Sequence, residues 1–214
     1  PVIGGHEAVG RIEKIGEGVN GLETGQRVTI HPNFFCGTCE TCLSGHPNLC
    51  KNKIRLGIDA DGVFAEYVVI PAKQVFLLPD NLCDEVAVFI EPLSVIVHAM
   101  GVTAPKKTDR VLIFGAGVMG LIALQMARMH QAEVVVCDLD EKRLKLAKKL
   151  GASKTICSKN SLKSFYNQYD VVYETSGAPV ALAETIRLAS HRGKIVVLGL
   201  PADEYPLSAE LIVR

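Results

Sequence analysis

The stretch RVLIFGAGVMGLIALQMARMHQAEVVVCD, residues 110–138, reads as strand, glycine turn, helix and strand. RVLIF and EVVVCD are short, continuous apolar runs, the pattern of parallel strands covered on both faces. Between them VMGLIALQMARMH is long and apolar enough for a packed helix. Gly115, Gly117 and Gly120 stand in G-x-G-x-x-G spacing directly after the first strand and at the opening of that helix. Gly115 permits the tight turn, Gly117 lets a pyrophosphate approach the backbone, and Gly120 lets helix and strand pack closely. Amides at the helix start, including those of Val118 and Met119, are placed to receive phosphate oxygens. Asp138 ends the second strand, 18 residues after Gly120, where a carboxylate accepts the ribose hydroxyls of an adenosine. Its plainer alternative is to cap the next helix. The same carboxylate repels a 2′-phosphate, which favours NAD over NADP, although Arg143 nearby is able to accommodate that phosphate.

Beyond Asp138 the alternation continues. DEKRLKLAKKLG reads as a helix with Leu146 and Leu150 one turn apart and Gly151 as its stop. KTIC and YDVVYETSG read as strands, a helix opens at Pro179, and GKIVVLG is the last strand. This predicts an α/β domain over residues 101–214, a doubly wound parallel sheet. Upstream, over residues 1–100, glycines, prolines and short β-branched runs predict a small β-rich domain, with AVGRIEKIGEGV, QRVTI and VFAEYVVIP as strands.

Bulk properties exclude several function classes. Lys plus Arg and Asp plus Glu both number 23, so neither nucleic acid nor an anionic membrane surface is an expected partner. No apolar run reaches the roughly 18 residues of a membrane span. The start, PVIGGHEAVG, has no signal-peptide pattern, and it reads as mid-domain sequence, so the chain is expected to be a piece of a longer one. Seven cysteines, an odd number, with no export signal point to a reducing, cytoplasmic setting.

Four of those cysteines crowd into CGTCETCLSGHPNLC, residues 36–50. Cys36, Cys39, Cys42 and Cys50 supply the four thiolates of a closed tetrahedral Zn²⁺ site, which would be structural because no position stays open for substrate. An iron–sulfur cluster also takes four thiolates, but here the fourth follows after seven residues and no second set exists. Redox thiols are the third alternative. His46, inside the loop, is expected to face solvent.

A second group of metal-binding residue types is dispersed. His6 and Glu7 adjoin flexible glycines in GGHE, and Glu91 lies in the apolar stretch FIEPLSVIVHAM. A carboxylate in such a stretch is costly unless a cation or metal compensates it. The three are expected to converge on a catalytic metal. The alternative for Glu91 is a helix-start acid beside Pro92, stabilised by the dipole. His98 reads as a packed helix residue.

Together GGHEAVGRIEKIGEGV, GQRV, the cysteine lobe, GVFAEYVVIP, EPLSVIVHA and GAGVMG…CD resemble the zinc-containing medium-chain dehydrogenase/reductase family of the alcohol dehydrogenase superfamily. The resemblance runs essentially end to end, with Gln26 where the family usually has Asp. It implies a GroES-like catalytic domain, here partial, and a partial Rossmann domain without its last strand, with the active site between them. EPLSVIVHA is similar to the polyol branch, which includes sorbitol dehydrogenase. That branch implies a catalytic zinc held by His6, Glu7 and Glu91 or its water, a structural zinc on the four cysteines, and NAD. Gly177 and Gly199 would leave space for the cofactor. The family's cysteine ligand and proton relay lie upstream of Pro1. The implied activity is hydride transfer from a small secondary alcohol of a polyol or sugar acid to NAD, in a homo-oligomer, dimer or tetramer. An L-threonine 3-dehydrogenase and a non-catalytic, zinc-stapled NAD-binding fragment are the alternatives. A zinc-free quinone reductase is disfavoured by the cysteine lobe and Glu91.

Overall fold

The computed structural model describes residues 1–202 together with Glu204, Leu207, Glu210 and Ile212. The chain forms two compact units, Pro1–Ser94 and Val95–Arg214.

The first unit is built from short strands. β1 (Val9–Arg11), β2 (Arg27–Ile30), β3 (Asn33–Phe34), the short helix α1 (Glu40–Leu43), β4 (Ile54–Arg55), β5 (Val75–Leu77), the short helix α2 (Asp84–Ala87) and the first turn of α3 (Ile90–Thr103) follow in order. β1, β2 and β5 make an antiparallel sheet, with Val28 opposite both Gly10 and Leu77. β3 and β4 make a separate ribbon that closes the cysteine loop at its base, Phe34 facing Ile54. The expected strand VFAEYVVIP is not one: residues 63–71 take no strand partner among the described residues, and Val69 is 96% exposed. β-propensity reflects packing against neighbours, and this run has too few to form a ladder. The strand forms further on, at Val75–Leu77.

The second unit repeats strand and helix: β6 (Arg110–Phe114), α4 (Val118–Met129), β7 (Glu133–Asp138), α5 (Glu141–Lys149), β8 (Lys154–Cys157), β9 (Tyr169–Glu174), α6 (Pro179–Leu188) and β10 (Ala189–Val197). All pairs in its sheet are parallel, in the order β10-β9-β6-β7-β8. The chain direction across the sheet reverses between β6 and β9, the switch point where ligands sit in doubly wound folds. One face is filled by Val111, Ile113, Val134, Val136 and Tyr173 under α4 and α5, and the other by Leu112, Val135, Tyr169 and Val172 with α6. On α5 the buried positions are Leu144 and Ala147, whereas Leu146 is exposed. The helix is therefore rotated from the face read in the sequence, and its stop is Gly151 at φ +102°.

Candidate metal centres and dinucleotide site

The four cysteines converge. The Sγ atoms of Cys36 and Cys42 are 4.0 Å apart, those of Cys39 and Cys42 3.5 Å, Cys39 and Cys50 3.8 Å, and Cys36 and Cys50 3.6 Å. A disulfide would bring two of them to about 2.0 Å. A tetrahedron with metal–sulfur bonds of about 2.3 Å has edges near 3.8 Å, and the observed distances bracket that value. A multi-iron cluster would interpose its own atoms and hold the sulfurs further apart. The residues present therefore fit a single tetrahedral ion.

The lobe's backbone prepares the site. The N–H of Cys39 donates to Cys36 Sγ at 3.3 Å, and that of Cys36 to Cys50 Sγ at 3.4 Å. Hydrogen bonds from the Thr38 and Cys39 backbone hold the Cys36 thiol down at about 5, and the Thr41 hydroxyl leads those that hold Cys39 down at about 7. Burial pushes Cys42 up to about 12. The lobe thus presents a partly ionised quartet that a cation would complete. His46 is exposed, as expected.

His6, Glu7 and Glu91 also meet: one ligand atom from each lies within 4.8 Å of the other two. Glu91 is in the first turn of α3, beside Pro92, so the helix start delivers it to the site. Burial raises its pKa, the nearby His6 opposes that rise, and Glu7 reinforces it. Two carboxylates gathered around one imidazole favour a cation, and three protein ligands leave a position open. His31, which sequence reasoning did not single out, is close enough to lower the Glu91 pKa, while its Nδ1 lies 2.8 Å from the Asn33 carbonyl. His98 is exposed, a correction to its reading as a packed residue.

In the second unit the glycine turn has the geometry a pyrophosphate needs. Gly115 has φ +104°, and a Cβ there would lie 2.8 Å from Thr175 Oγ1. A Cβ on Gly120 would sit 1.9 Å from the Gly115 carbonyl oxygen, so helix and turn touch through hydrogen alone. Gly117 differs: among the described residues nothing lies within 4 Å of the Cβ it lacks. That open space above a helix start is where a phosphate fits. The Leu121 N–H to Gly117 carbonyl bond begins the helical ladder, leaving the amides before it facing outward. Val118 is exposed at this end, while Met119 packs its side chain on the core and offers only its amide.

Asp138 is buried at the end of β7. Its Oδ2 accepts the Ala116 N–H at 2.6 Å and its Oδ1 the Asp140 N–H at 2.7 Å. The helix cap is Asp140, which accepts from the Lys142 N–H at 2.7 Å, so the capping role weighed for Asp138 belongs two residues later. Arg143 is exposed on α5. Gly177 and Gly199 pack against each other, a Cβ on Gly199 falling 2.1 Å from the Gly177 nitrogen. The close approach of these two loops leaves no room for a side chain at either position.

Residues 1–80 match the alcohol dehydrogenase GroES-like domain family, and residues 118–214 the zinc-binding dehydrogenase family. The chain belongs to the zinc-containing medium-chain dehydrogenase superfamily. Among its relatives, the L-threonine 3-dehydrogenase of Alteromonas mediterranea is 39% identical over 212 residues, which is 95% of this chain and 62% of that protein. Galactitol-1-phosphate dehydrogenase from Escherichia coli superposes with a TM-score of 0.90 at 32% identity, covering 99% of this chain and 64% of that one. A zinc-binding dehydrogenase from Sinorhizobium meliloti, bound to NADP, gives a TM-score of 0.92 at 33% identity, covering 100% and 66%. The chain thus spans less than two thirds of the length of these relatives.

For a medium-chain dehydrogenase of this type, one further residue stands out at the switch point. Glu174, 1% exposed at the end of β9, accepts the Ser176 N–H at 2.8 Å and the Gly177 N–H at 3.2 Å. It anchors the β9 turn as Asp138 anchors the β7 turn. The signal was present in YETSG, where a carboxylate closes an apolar strand as Asp138 does in VVVCD.

Proposed function

We propose that the whole protein is an NAD-dependent zinc alcohol dehydrogenase acting on the secondary hydroxyl of a polyol or sugar acid. The observation that carries this reading is the convergence of His6, Glu7 and Glu91. It occurs in a chain whose second unit holds an open glycine cradle at Gly117 and an acidic strand end at Asp138.

When bound at these sites, Zn²⁺ supplies Lewis acidity that lowers an alcohol's pKa, and the nicotinamide supplies a hydride acceptor. The chain's own residues do the rest. His6 and Glu7 would hold the catalytic ion, with Glu91 binding it directly or through a water. Cys36, Cys39, Cys42 and Cys50 would hold the structural ion and fix the lobe between β3 and β4. Gly115, Gly117 and the amides of Val118, Met119 and Gly120 would receive the pyrophosphate. Asp138 has spent one oxygen lone pair on each of two backbone amides, and its remaining lone pairs suit ribose hydroxyls. Its charge disfavours a 2′-phosphate, and Arg143 on the exposed face of α5 is the counterweight.

L-threonine is the second substrate reading, favoured by the similarity to the Alteromonas mediterranea enzyme. Both substrates present a secondary alcohol beside polar groups. The polyol reading draws support from the EPLS segment and from the likeness to galactitol-1-phosphate dehydrogenase.

The test is initial-rate NADH formation by the full-length protein with sorbitol, a sugar acid and L-threonine, each with NAD and with NADP. The proposal expects turnover of a polyol or sugar acid with NAD, abolished in His6→Ala and Glu7→Ala. Turnover of L-threonine alone establishes the second reading. Unaltered rates in both variants defeat the catalytic-metal assignment.

A further inference from the structure

The backbone that carries His6 and Glu7 is gripped by another loop of the same unit. Gly62 N–H donates to the Ile3 carbonyl at 2.7 Å, Phe64 N–H to Gly4 at 3.0 Å, and Val63 N–H to Gly5 at 3.0 Å. In return the Ile3 N–H donates to Asp61 Oδ1 at 2.8 Å. Three consecutive residues before His6 are therefore bonded to one partner segment.

The fit between the two backbones leaves no room for side chains. A Cβ on Gly62 would lie 2.1 Å from the Gly5 carbonyl oxygen, and one on Gly57 would lie 2.6 Å from the same atom. From the other side, a Cβ on Gly5 would lie 2.5 Å from the Phe64 ring, and Gly5 itself holds φ +91°. The gripping loop is in turn braced. Arg55 Nε and Nη2 donate to the two carboxylate oxygens of Asp59 at 2.7 and 2.8 Å, and the Arg55 N–H donates to the same group at 2.9 Å. The turn so formed sets Gly57 against Gly5.

We propose that the loop 55–64 is the positioning element of the His6–Glu7–Glu91 metal site, acting through Gly57, Gly62 and Phe64. None of these residues offers a ligand. They fix the peptide planes at Gly4 and Gly5, and the direction in which His6 and Glu7 leave the chain follows from those planes. Metal ligands must be held to within about 0.5 Å of their productive geometry by their supports. Supports one step removed from a metal typically alter its affinity by about 10- to 100-fold when lost. A loop that touches three consecutive residues before the ligand pair is such a support.

The inference rests on the metal reading of the preceding section, and one experiment separates the two. The full-length protein, Gly62→Ala and Phe64→Ala are dialysed against graded chelator. Zinc per chain is then measured by elemental analysis, with thermal melting in parallel. The wild type is expected to carry two ions. Gly62→Ala is expected to lose one of them at about tenfold lower chelator or less. Its other ion, on the four thiolates, should leave at the wild-type concentration. Phe64→Ala removes a ring that is largely exposed and leans over Gly5, so it tests the same point without opening a core; it is expected to shift the same ion. If Gly62→Ala does not fold, Phe64→Ala decides. A loop that merely stabilised the unit would release both ions together as melting falls, and that result overturns the proposal. So does retention of both ions at wild-type strength. A wild type that binds the thiolate ion alone defeats the metal reading itself.

Discussion

The carboxylate of Asp138 accepts the backbone N–H of Ala116 at 2.6 Å, tying the end of β7 to the glycine turn after β6. Ala116 is 1% exposed, so this amide has no access to water. Asp138→Ala leaves it unpaired, a loss of about 1–3 kcal/mol in stability that denaturant unfolding will register. Asp138→Asn removes the negative charge that opposes a 2′-phosphate, and the ratio of NADP to NAD affinity is expected to rise. An unchanged ratio would assign cofactor choice to another group, Arg143 being the nearest candidate.

Gly117 and Gly120 belong to one motif yet make opposite predictions. Gly117→Ala adds a methyl to open space and should melt like the wild type while binding NAD more weakly. Gly120→Ala forces a methyl against the Gly115 carbonyl oxygen and should lower stability by about 1–3 kcal/mol as well. Paired melting curves and NAD titrations check both. Equal stability losses would remove the distinction between cradle and packing glycine.

The second unit was legible because its strands are buried on both faces, and such strands announce themselves as apolar runs whatever surrounds them. The glycine spacing and Asp138 then marked a candidate site from sequence alone. The first unit was harder to read. Its strands are two to four residues long, and VFAEYVVIP has β-propensity without a partner ladder. The convergence of His6 and Glu7 with Glu91, more than eighty residues apart in the chain, rested on residue type and on family likeness. Two features were invisible. Gly57 and Gly62 look like ordinary loop glycines until the opposing Gly5 backbone is seen. Leu144, on the same helix face as Ala147, is buried on α5 where Leu146 is not, and which face meets the sheet shows only once α5 is docked.

The Arg55–Asp59 pair gives a pH prediction. Hydrogen bonds from the Arg55 side chain, then its backbone, lower the Asp59 carboxyl from an ordinary 3.8 to about 2. A depressed acid stabilises the folded turn fully above the ordinary value and ceases to do so as pH falls through about 2. Protection factors of the amides at residues 55–60, taken against intrinsic rates at each pH, should therefore stay high at pH 4 and fall towards pH 2. In Asp59→Asn exchange should be faster at both. A wild-type turn that opens near pH 4 would contradict the pairing.

Zinc uptake by the four-cysteine lobe should release protons. With Cys36 held near 5, Cys39 near 7 and Cys42 near 12, the metal-free lobe at pH 8 carries Cys36 and Cys39 mostly ionised and Cys42 protonated. Metal ligation requires thiolates, so at least the Cys42 proton must leave. A weakly buffered indicator titration with zinc will show acidification at pH 8. Binding without any proton release would mean that Cys42 is not a ligand.

The two-metal assignment stands or falls on the metal content of the intact full-length protein, purified without chelator and weighed by native mass spectrometry beside its Cys42→Ser and Glu7→Ala variants. Two zinc ions per chain are expected in the wild type, with one lost in each variant and the other retained. Iron with sulfide in the lobe, or a single ion that Glu7→Ala leaves in place, would contradict it.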